Sequence, residues 1–392
     1  MNKPGSARIA IYLHTLYNGG VERVMFNLIQ GFLDRGTAVD LVLDFLIYSP
    51  FEKLIPPGTG LIKLEAHKFP HRLPRLVGYL QDRRPDALLS ATHFANEIAC
   101  LARRLARVRT RLVISEHTNL AADISDSKSP LRRLMLPWTT RTIYPWADDI
   151  VAVSNGVADG MCRVSGLGRS DVHTIYNPIN FARLRAAAKE PVDEPWFLPG
   201  KPPVILAIGR LEQQKNFPNL IDAFAQLRQM REARLIILGE GSQRESLAGL
   251  IANLGLDSEV SLPGFVTNPP AYMAKAKLFV MSSSWEGMPV SLIEALALEL
   301  PIVSTDCPSG PAEILDGGKY GELVPMNDSN ALAAAMERGL SAGGKPVGME
   351  WLKQFDSDTI TESYLELLLG WKPSVGERPM WQTAFKGFGA HE

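Results

Sequence analysis

A chain of 392 residues is long enough for two ordinary domains and too long for one comfortable core. Its composition, 46% hydrophobic and 21% charged, excludes a disordered chain, and no apolar run reaches membrane-spanning length. The formal net charge of −1 conceals an asymmetry: residues 1–190 carry 25 Lys/Arg against 17 Asp/Glu, whereas residues 191–392 carry 16 against 25, so the two halves face different partners.

The N-terminal stretch MNKPGSARIAIYL holds one short apolar run and no signal-peptide core, which points to a cytoplasmic protein. Cys100, Cys162 and Cys307 are widely spaced and form no CxxC, so neither a disulfide framework nor a zinc site is indicated. Residues 7–13 (ARIAIYL) predict a strand, followed by the loop HTLYNGG with its Gly19–Gly20 pair. A helix with Val21, Val24, Met25, Leu28 and Phe32 on one face comes next, Gly36 ends it, and residues 39–43 predict another strand. This strand, turn, helix, strand unit opens a parallel sheet. The alternation continues through a strand at 87–89, a helix near 95–107, a strand at 111–115, a Trp- and Arg-rich helix at 130–146 and a strand at 149–153.

Between residues 176 and 203 the periodicity lapses while Pro178, Pro191, Pro195, Pro199, Pro202 and Pro203 accumulate. An interdomain linker is predicted at 179–202, between a first domain at 1–178 and a second at 203–370. The second begins with a strand at 204–208, the loop GRLEQQKNF, a helix carrying Leu220, Ile221, Phe224 and Leu227, and a strand at 234–238. GEGS opens another helix, GFV closes a strand, and strands at 278–281 and 301–304, the PAEIL segment, a helix after Asp328 and a last helix at 359–369 follow. The tail at 371–392 is aromatic, Gly/Pro-punctuated and poorly periodic. Two such α/β domains with ligand loops at the carboxyl ends of their strands place an active site in a cleft between them.

The stretch SSSWEGMPVSLIEALALEL, residues 282–300, carries Glu286 and Glu294 eight positions apart across a loop-to-helix junction. Pro289 suits the first helical position, and Ile293, Leu296, Ala297 and Leu300 repeat at helical spacing. Backbone N–H groups at the helix start, around Met288, Pro289 and Val290, favour an anion such as a phosphate. The two glutamates suit hydroxyls on either side of it, as a nucleotide sugar would present. The plainer alternative is a capped amphipathic helix with two solvated glutamates.

Arg210 and Lys215 lie in the loop GRLEQQKN that starts at Gly209, where two cations five apart can grip one diphosphate through charge-assisted hydrogen bonds. The alternative is two exposed surface cations. Gly19 and Gly20 let a backbone approach a phosphate or sugar, although they form neither GxGxxG nor a P-loop, and an ordinary glycine turn stays open. His117, in SEHTN after a predicted strand, can donate to a sugar hydroxyl or stand as a satisfied structural histidine. The side chain of Glu116 is expected to point the opposite way.

These segments resemble the retaining glycosyltransferases of family four, which have two Rossmann-like domains with parallel sheets facing a central cleft, the GT-B architecture. The resemblance is carried by the glycine pair, SEHTN, IYNPIN, GRL-x3-KN, GEG, EGMPVSLIEALA with its Glu-x7-Glu spacing, and DCPSGPAEIL. It implies that Glu286 touches the donor sugar's hydroxyls and Glu294 the ribose, that Arg210 and Lys215 meet the diphosphate, and that His117 and the glycine pair contact the donor. It also implies that residues 264–266 cradle the base and that a C-terminal segment crosses back onto the first domain.

Asp356-Ser357-Asp358 is formally a DxD, yet it precedes the last helix, where capping is the better account. With Arg210 and Lys215 supplying positive charge, neither a divalent metal nor another cofactor is expected beyond the nucleotide sugar as co-substrate. The basic, aromatic stretches RRLARVRTR, HKFPHRLPRL and LRRLMLPWTTRTIYPW suit peripheral contact with an anionic membrane or a lipid-linked acceptor, or else form a solvated face. No nucleic-acid fold accompanies them. The expected function is metal-independent transfer of a hexose or N-acetylhexosamine, with retention, from a UDP-sugar to a lipid-linked glycan. The alternatives are a UDP-sugar 2-epimerase of the same architecture and a catalytically silent nucleotide-binding partner subunit.

Overall fold

The computed structural model of the chain describes residues 7–17, 19–47, 49–127 and 129–371. These fall into two units: residues up to Asn180 together with the segment from Glu350 form one, and Phe181–Met349 form the other. Each has its own parallel sheet, as expected of an α/β chain with two Rossmann-like domains.

The first unit holds seven parallel strands in the order β3-β2-β1-β4-β5-β6-β7. They are β1 (Arg8–Leu13), β2 (Ala38–Leu43), β3 (Gly60–Lys63), β4 (Ala87–Ala91), β5 (Arg111–Glu116), β6 (Asp149–Ala152) and β7 (Val172–Thr174). Apolar runs such as RIAIYL suit strands covered on both faces, and Ile9, Ile11 and Tyr12 are wholly buried. The helix Gly20–Asp34 buries Val24, Met25, Leu28 and Phe32 and leaves Val21 half-buried. The order reverses direction between β1 and β4, so the loop leaving β1 stands at the switch point where open α/β sheets bind ligands.

The helix Ser357–Leu369 belongs to this first unit rather than to the domain expected at 203–370. Tyr364, Leu365 and Leu368 are buried, each worth roughly 1.5–3 kcal/mol of apolar burial at most. The Tyr364 hydroxyl lies 3.2 Å from Ser115 Oγ on β5, and Arg35 pairs with Glu362 at 3.3 Å. Gly31 lies so close to Thr361 that any Cβ there would overlap it. The chain leaves and re-enters the unit side by side, since the Ile179 N–H donates to Phe355 O at 2.7 Å and the Ser357 N–H to Ile179 O at 3.0 Å. The crossing expected of the tail at 372–392 lies outside the described residues.

The second unit holds six parallel strands in the order β10-β9-β8-β11-β12-β13. They are β8 (Val204–Ile208), β9 (Arg234–Leu238), β10 (Val260–Gly264), β11 (Leu278–Met281), β12 (Ile302–Thr305) and β13 (Glu322–Val324). The helices Phe217–Met230 and Ser329–Ala342 cover one face, contributing Leu220, Phe224, Leu332 and Met336 to a core with Ile205 and Val280.

Of the stretch expected as a linker at 179–202, residues 179 and 180 belong to the first unit and the rest packs on this second unit. Phe181 and Leu184 of the helix Phe181–Ala187 are buried, Asn268 Nδ2 donates to Ala187 O at 3.0 Å, and Phe197 meets Tyr272 edge-on. The prolines suppress regular structure there without freeing the chain.

Candidate functional site

In the second unit the switch point lies between β8 and β11, and the loops leaving these strands are sewn together. The Ser284 N–H donates to Gln214 O at 2.8 Å, Gln214 Nε2 to Trp285 O at 2.8 Å, and Ser282 Oγ to Lys215 O at 2.8 Å. Lys215 closes a short 3-10 turn, Gln213–Lys215, and Asn216 reverses the chain in a left-handed conformation at φ 48°. The result is a contact of 2.5 Å between Lys215 Nζ and Glu286 Oε1, with Ser283 Oγ donating to the same oxygen at 2.6 Å.

Glu286 is 5% exposed, so its charge is compensated by Lys215 rather than by water. Its N–H donates to Pro308 O at 3.1 Å, and Thr305 Oγ1 reaches Ser283 O at 2.6 Å, which adds the loop after β12 to the framework. Gly310, at φ 92°, brings that loop against the Gly287–Pro289 turn, and a Cβ there would stand 2.6 Å from Pro289 Cδ. Gly209 is constrained by packing: a Cβ would lie 3.1 Å from the Lys215 stem. Cys307 beside them is buried, which pushes its thiol well above the ordinary value, with Glu286 adding to the shift, so it is inert.

Pro289 is not the first helical residue. The helix is Val290–Ala297, and Pro289, at ψ 110°, is the residue before it, whose carbonyl accepts from Leu292 N–H at 3.1 Å. The amides of Val290 and Ser291 thus open the helix and have no acceptors within it. Met288 and Val290 are buried through their side chains, and Glu294 is half-buried one turn inside.

Arg210 is exposed and has no ion pair among the described residues. Its neighbour Glu212 is fixed: the Ser242 N–H (2.9 Å) and hydroxyl (2.7 Å) hold its carboxyl below the ordinary range, with Arg210 contributing charge. At the carboxyl ends of the second sheet, then, Lys215 is tethered to Glu286, while Arg210 is exposed beside Glu212.

The other expected residues, Gly19, Gly20 and His117, lie in the first unit. Gly19 is extended, not left-handed, and caps the helix Gly20–Asp34. The residue that shapes this loop is Glu22, buried and missed in the sequence, which accepts N–H bonds from Tyr17 at 2.9 Å and Gly19 at 3.0 Å. His117 is buried against Ser115 Oγ at 3.0 Å, and burial lowers its imidazole to about 3, so it stands neutral. Glu116 is buried with Tyr144 donating to it at 3.0 Å, and burial raises its carboxyl to about 7.

Asp356 caps the last helix, accepting from the N–H groups of Asp358 and Thr359, and Asp358 pairs with Arg35. Among the described residues no group of three or more His, Cys, Asp or Glu side chains is placed to hold a metal ion. No helix among them is long and apolar enough to cross a membrane.

Two α/β units, each with its own parallel sheet, make the GT-B architecture, and solved structures share the fold. A complex of Anabaena Alr3699/HepE with UDP and glucose superposes with a TM-score of 0.75 at 19% identity, covering 93% of this chain and all of that one. A point mutant of S. aureus TarM, in a complex that contains UDP, superposes at 0.72 and 14% identity, covering 93% of this chain and 100% of that one. The family model described as Glycosyltransferase Family 4 matches residues 18–183, and that of glycosyl transferases group 1 matches 189–349. The lipopolysaccharide core biosynthesis glycosyltransferase LpsE of Rhizobium meliloti is 32% identical over 91% of this chain and 98% of its own length. A Campylobacter jejuni N-acetylgalactosaminyltransferase, named for a diphospho-undecaprenol-linked acceptor, is 29% identical over 93% of this chain and 100% of its length. The chain belongs to glycosyltransferase family 4 and is a glycosyltransferase.

Proposed function

We propose that the protein transfers a hexose or N-acetylhexosamine from a UDP-sugar to a lipid-linked glycan acceptor, with retention of configuration and without a metal ion. The observation that carries this reading is the Lys215–Glu286 pair, tied into the loops of three adjacent strands. Breaking a sugar–phosphate bond builds negative charge on the departing diphosphate, and preorganised cations in a partly buried site stabilise it strongly. Arg210 and Lys215, with the amides opening the helix Val290–Ala297, supply that positive charge in place of a divalent ion. Lys215 has three N–H donors, so it can keep Glu286 and still meet a phosphate oxygen. Glu286 then orients the sugar hydroxyls and Glu294 the ribose. The acceptor attacks from the face the diphosphate leaves, whose oxygen takes the acceptor's proton.

The acceptor class is supported by the names of the relatives and by the helix Pro130–Ile143. That helix buries Leu136 and Thr140 and turns Leu131, Leu134, Met135 and Trp138 outward, with Trp138 62% and Leu134 75% exposed. Spacings of three and four residues put these four on one face, with the exposed Arg141 at its edge, as in helices that lie on anionic lipid. We propose on this ground that the enzyme works at the inner face of the cytoplasmic membrane.

The test is a thermal-shift panel of UDP-, GDP- and ADP-sugars, followed by transfer to a lipid-diphosphate-linked sugar and proton NMR of the new linkage. A UDP-sugar is expected to raise the melting point, since a ligand selective for the folded state stabilises it by mass action. An inverted anomeric configuration, or stabilisation by none of the nucleotide sugars, defeats the reading.

A further inference from the structure

A second cluster of chemistry-bearing side chains stands at the carboxyl ends of β1 and β2 in the first unit. Asp44 is fully buried, and its carboxylate collects two hydrogen-bond donors, Tyr12 hydroxyl on Oδ1 at 2.7 Å and His14 Nδ1 on Oδ2 at 2.7 Å, with the Arg72 guanidinium as an ion-pair partner at 3.5 Å. A carboxylate this deep stays in place only with such partners. It fixes His14 with Nδ1–H toward Asp44, and Nε2 has no hydrogen-bond partner among the described residues. The imidazole is 20% exposed.

Aromatic rings surround this imidazole. Phe45 meets it edge-on with centroids 5.0 Å apart, Tyr17 lies 5.9 Å away, and His67 continues the run at 5.2 Å from Phe45. Tyr17 is 55% exposed and Phe45 half-buried, so ring surface is open to a ligand. The Arg72 guanidinium, paired with Asp44 and lying over the Phe69 ring at 5.7 Å from its centroid, makes no hydrogen bond through its terminal nitrogens among the described residues. An oriented nitrogen acceptor, an adjacent guanidinium and flat apolar faces suit a pyranose, whose C–H face packs on an aromatic ring while its hydroxyls seek hydrogen bonds. The loop leaves β1 at the switch point of the sheet.

We infer that His14, oriented by Asp44 and set beside Phe45 and Tyr17, forms a subsite for a sugar ring of the acceptor, with a ring hydroxyl donating to His14 Nε2. The inference rests on the transferase reading above and adds residues that reading does not use. It is tested on the full-length protein by saturation-transfer NMR with methyl glycosides of glucose, galactose and their 2-acetamido counterparts, and with UDP as an internal control. His14→Asn keeps an N–H for Asp44 while removing the outward nitrogen, and Phe45→Ala removes the ring face without touching the carboxylate. Wild type is expected to saturate the ring protons of at least one glycoside, both variants to lose most of that signal, and the UDP signal to stay unchanged. Glycoside signals that persist in both variants, or none from wild type, overturn the subsite. Failure of UDP to bind counts against the donor reading alone, because glycoside signals lost in both variants would still support the subsite.

Discussion

The ammonium of Lys215 and the carboxylate of Glu286 lie 2.5 Å apart although the residues are 71 positions apart in the chain. Sequence motifs that read as two separate donor contacts are one interacting pair in the fold. Each offsets the other's charge in a place where water is scarce.

Removing one member should therefore cost both stability and chemistry. Lys215→Ala is expected to lower transfer by at least ~100-fold and to destabilise the fold by roughly 3–5 kcal/mol, because it leaves Glu286 buried and uncompensated. Glu286→Gln should lose transfer but less stability, since the amide still accepts from Lys215. Urea unfolding and steady-state kinetics of both single variants and the double variant measure the coupling directly.

Gly310 offers a test that touches no charged group. Its φ of 92° and the 2.6 Å approach of a would-be Cβ to Pro289 mean that Gly310→Ala must strain its backbone and push on the Gly287–Pro289 turn. A loss of about 1–3 kcal/mol is expected, with a higher KM for the nucleotide sugar and no direct loss of a catalytic group. Thermal melts and donor titrations read the two effects separately.

The exposed face of the helix Pro130–Ile143 predicts membrane behaviour. Replacing Leu134 and Trp138 together by Ser removes two outward apolar side chains, and should weaken cosedimentation with phosphatidylglycerol-containing vesicles by about tenfold or more. Binding of wild type should fall with added salt, because Arg141 at the edge of this face acts through screened charge. Turnover of a water-soluble acceptor should stay within about twofold of wild type.

Glu116 predicts a pH effect on stability. Burial raises its carboxyl from 4.5 to about 7, so the folded state prefers the protonated acid. Its contribution is complete below the unfolded value and is lost as pH rises through about 7. Glu116→Gln should therefore flatten the fall in stability between these limits, measured by urea unfolding at several pH values. His117 works in the opposite sense: neutral in the fold with its value lowered to about 3, it costs stability as pH falls below about 6.5, and this acid-side loss should persist in the variant.

Much of this was legible in the residues. RIAIYL, VILAI and RLIIL read as strands because fully covered parallel strands are continuously apolar, and GRLEQQKN and EGMPVSLIEALA marked loops that do lie at strand ends. What was not legible is long-range or hidden by proline. Pro70 and Pro74 made the helix Phe69–Arg83 look like a basic patch, and the prolines after Pro191 made a packed segment look like a linker. Glu22 and Asp44 are single acids in ordinary contexts, and only the fold shows that they collect donors from a neighbouring strand and loops. The assignment of Ser357–Leu369 to the first unit depends on which sheet face is left uncovered, and no local pattern states that.

That last helix has a consequence for biogenesis. When the ribosome has released all seven strands of the first sheet, the face that Tyr364 seals is still waiting for residues synthesised much later, after the whole second unit has emerged. The second unit can mature while the first remains open, so the nascent protein has a vulnerable interval set by translation speed. Deletions that stop short of Ser357 would make that interval permanent.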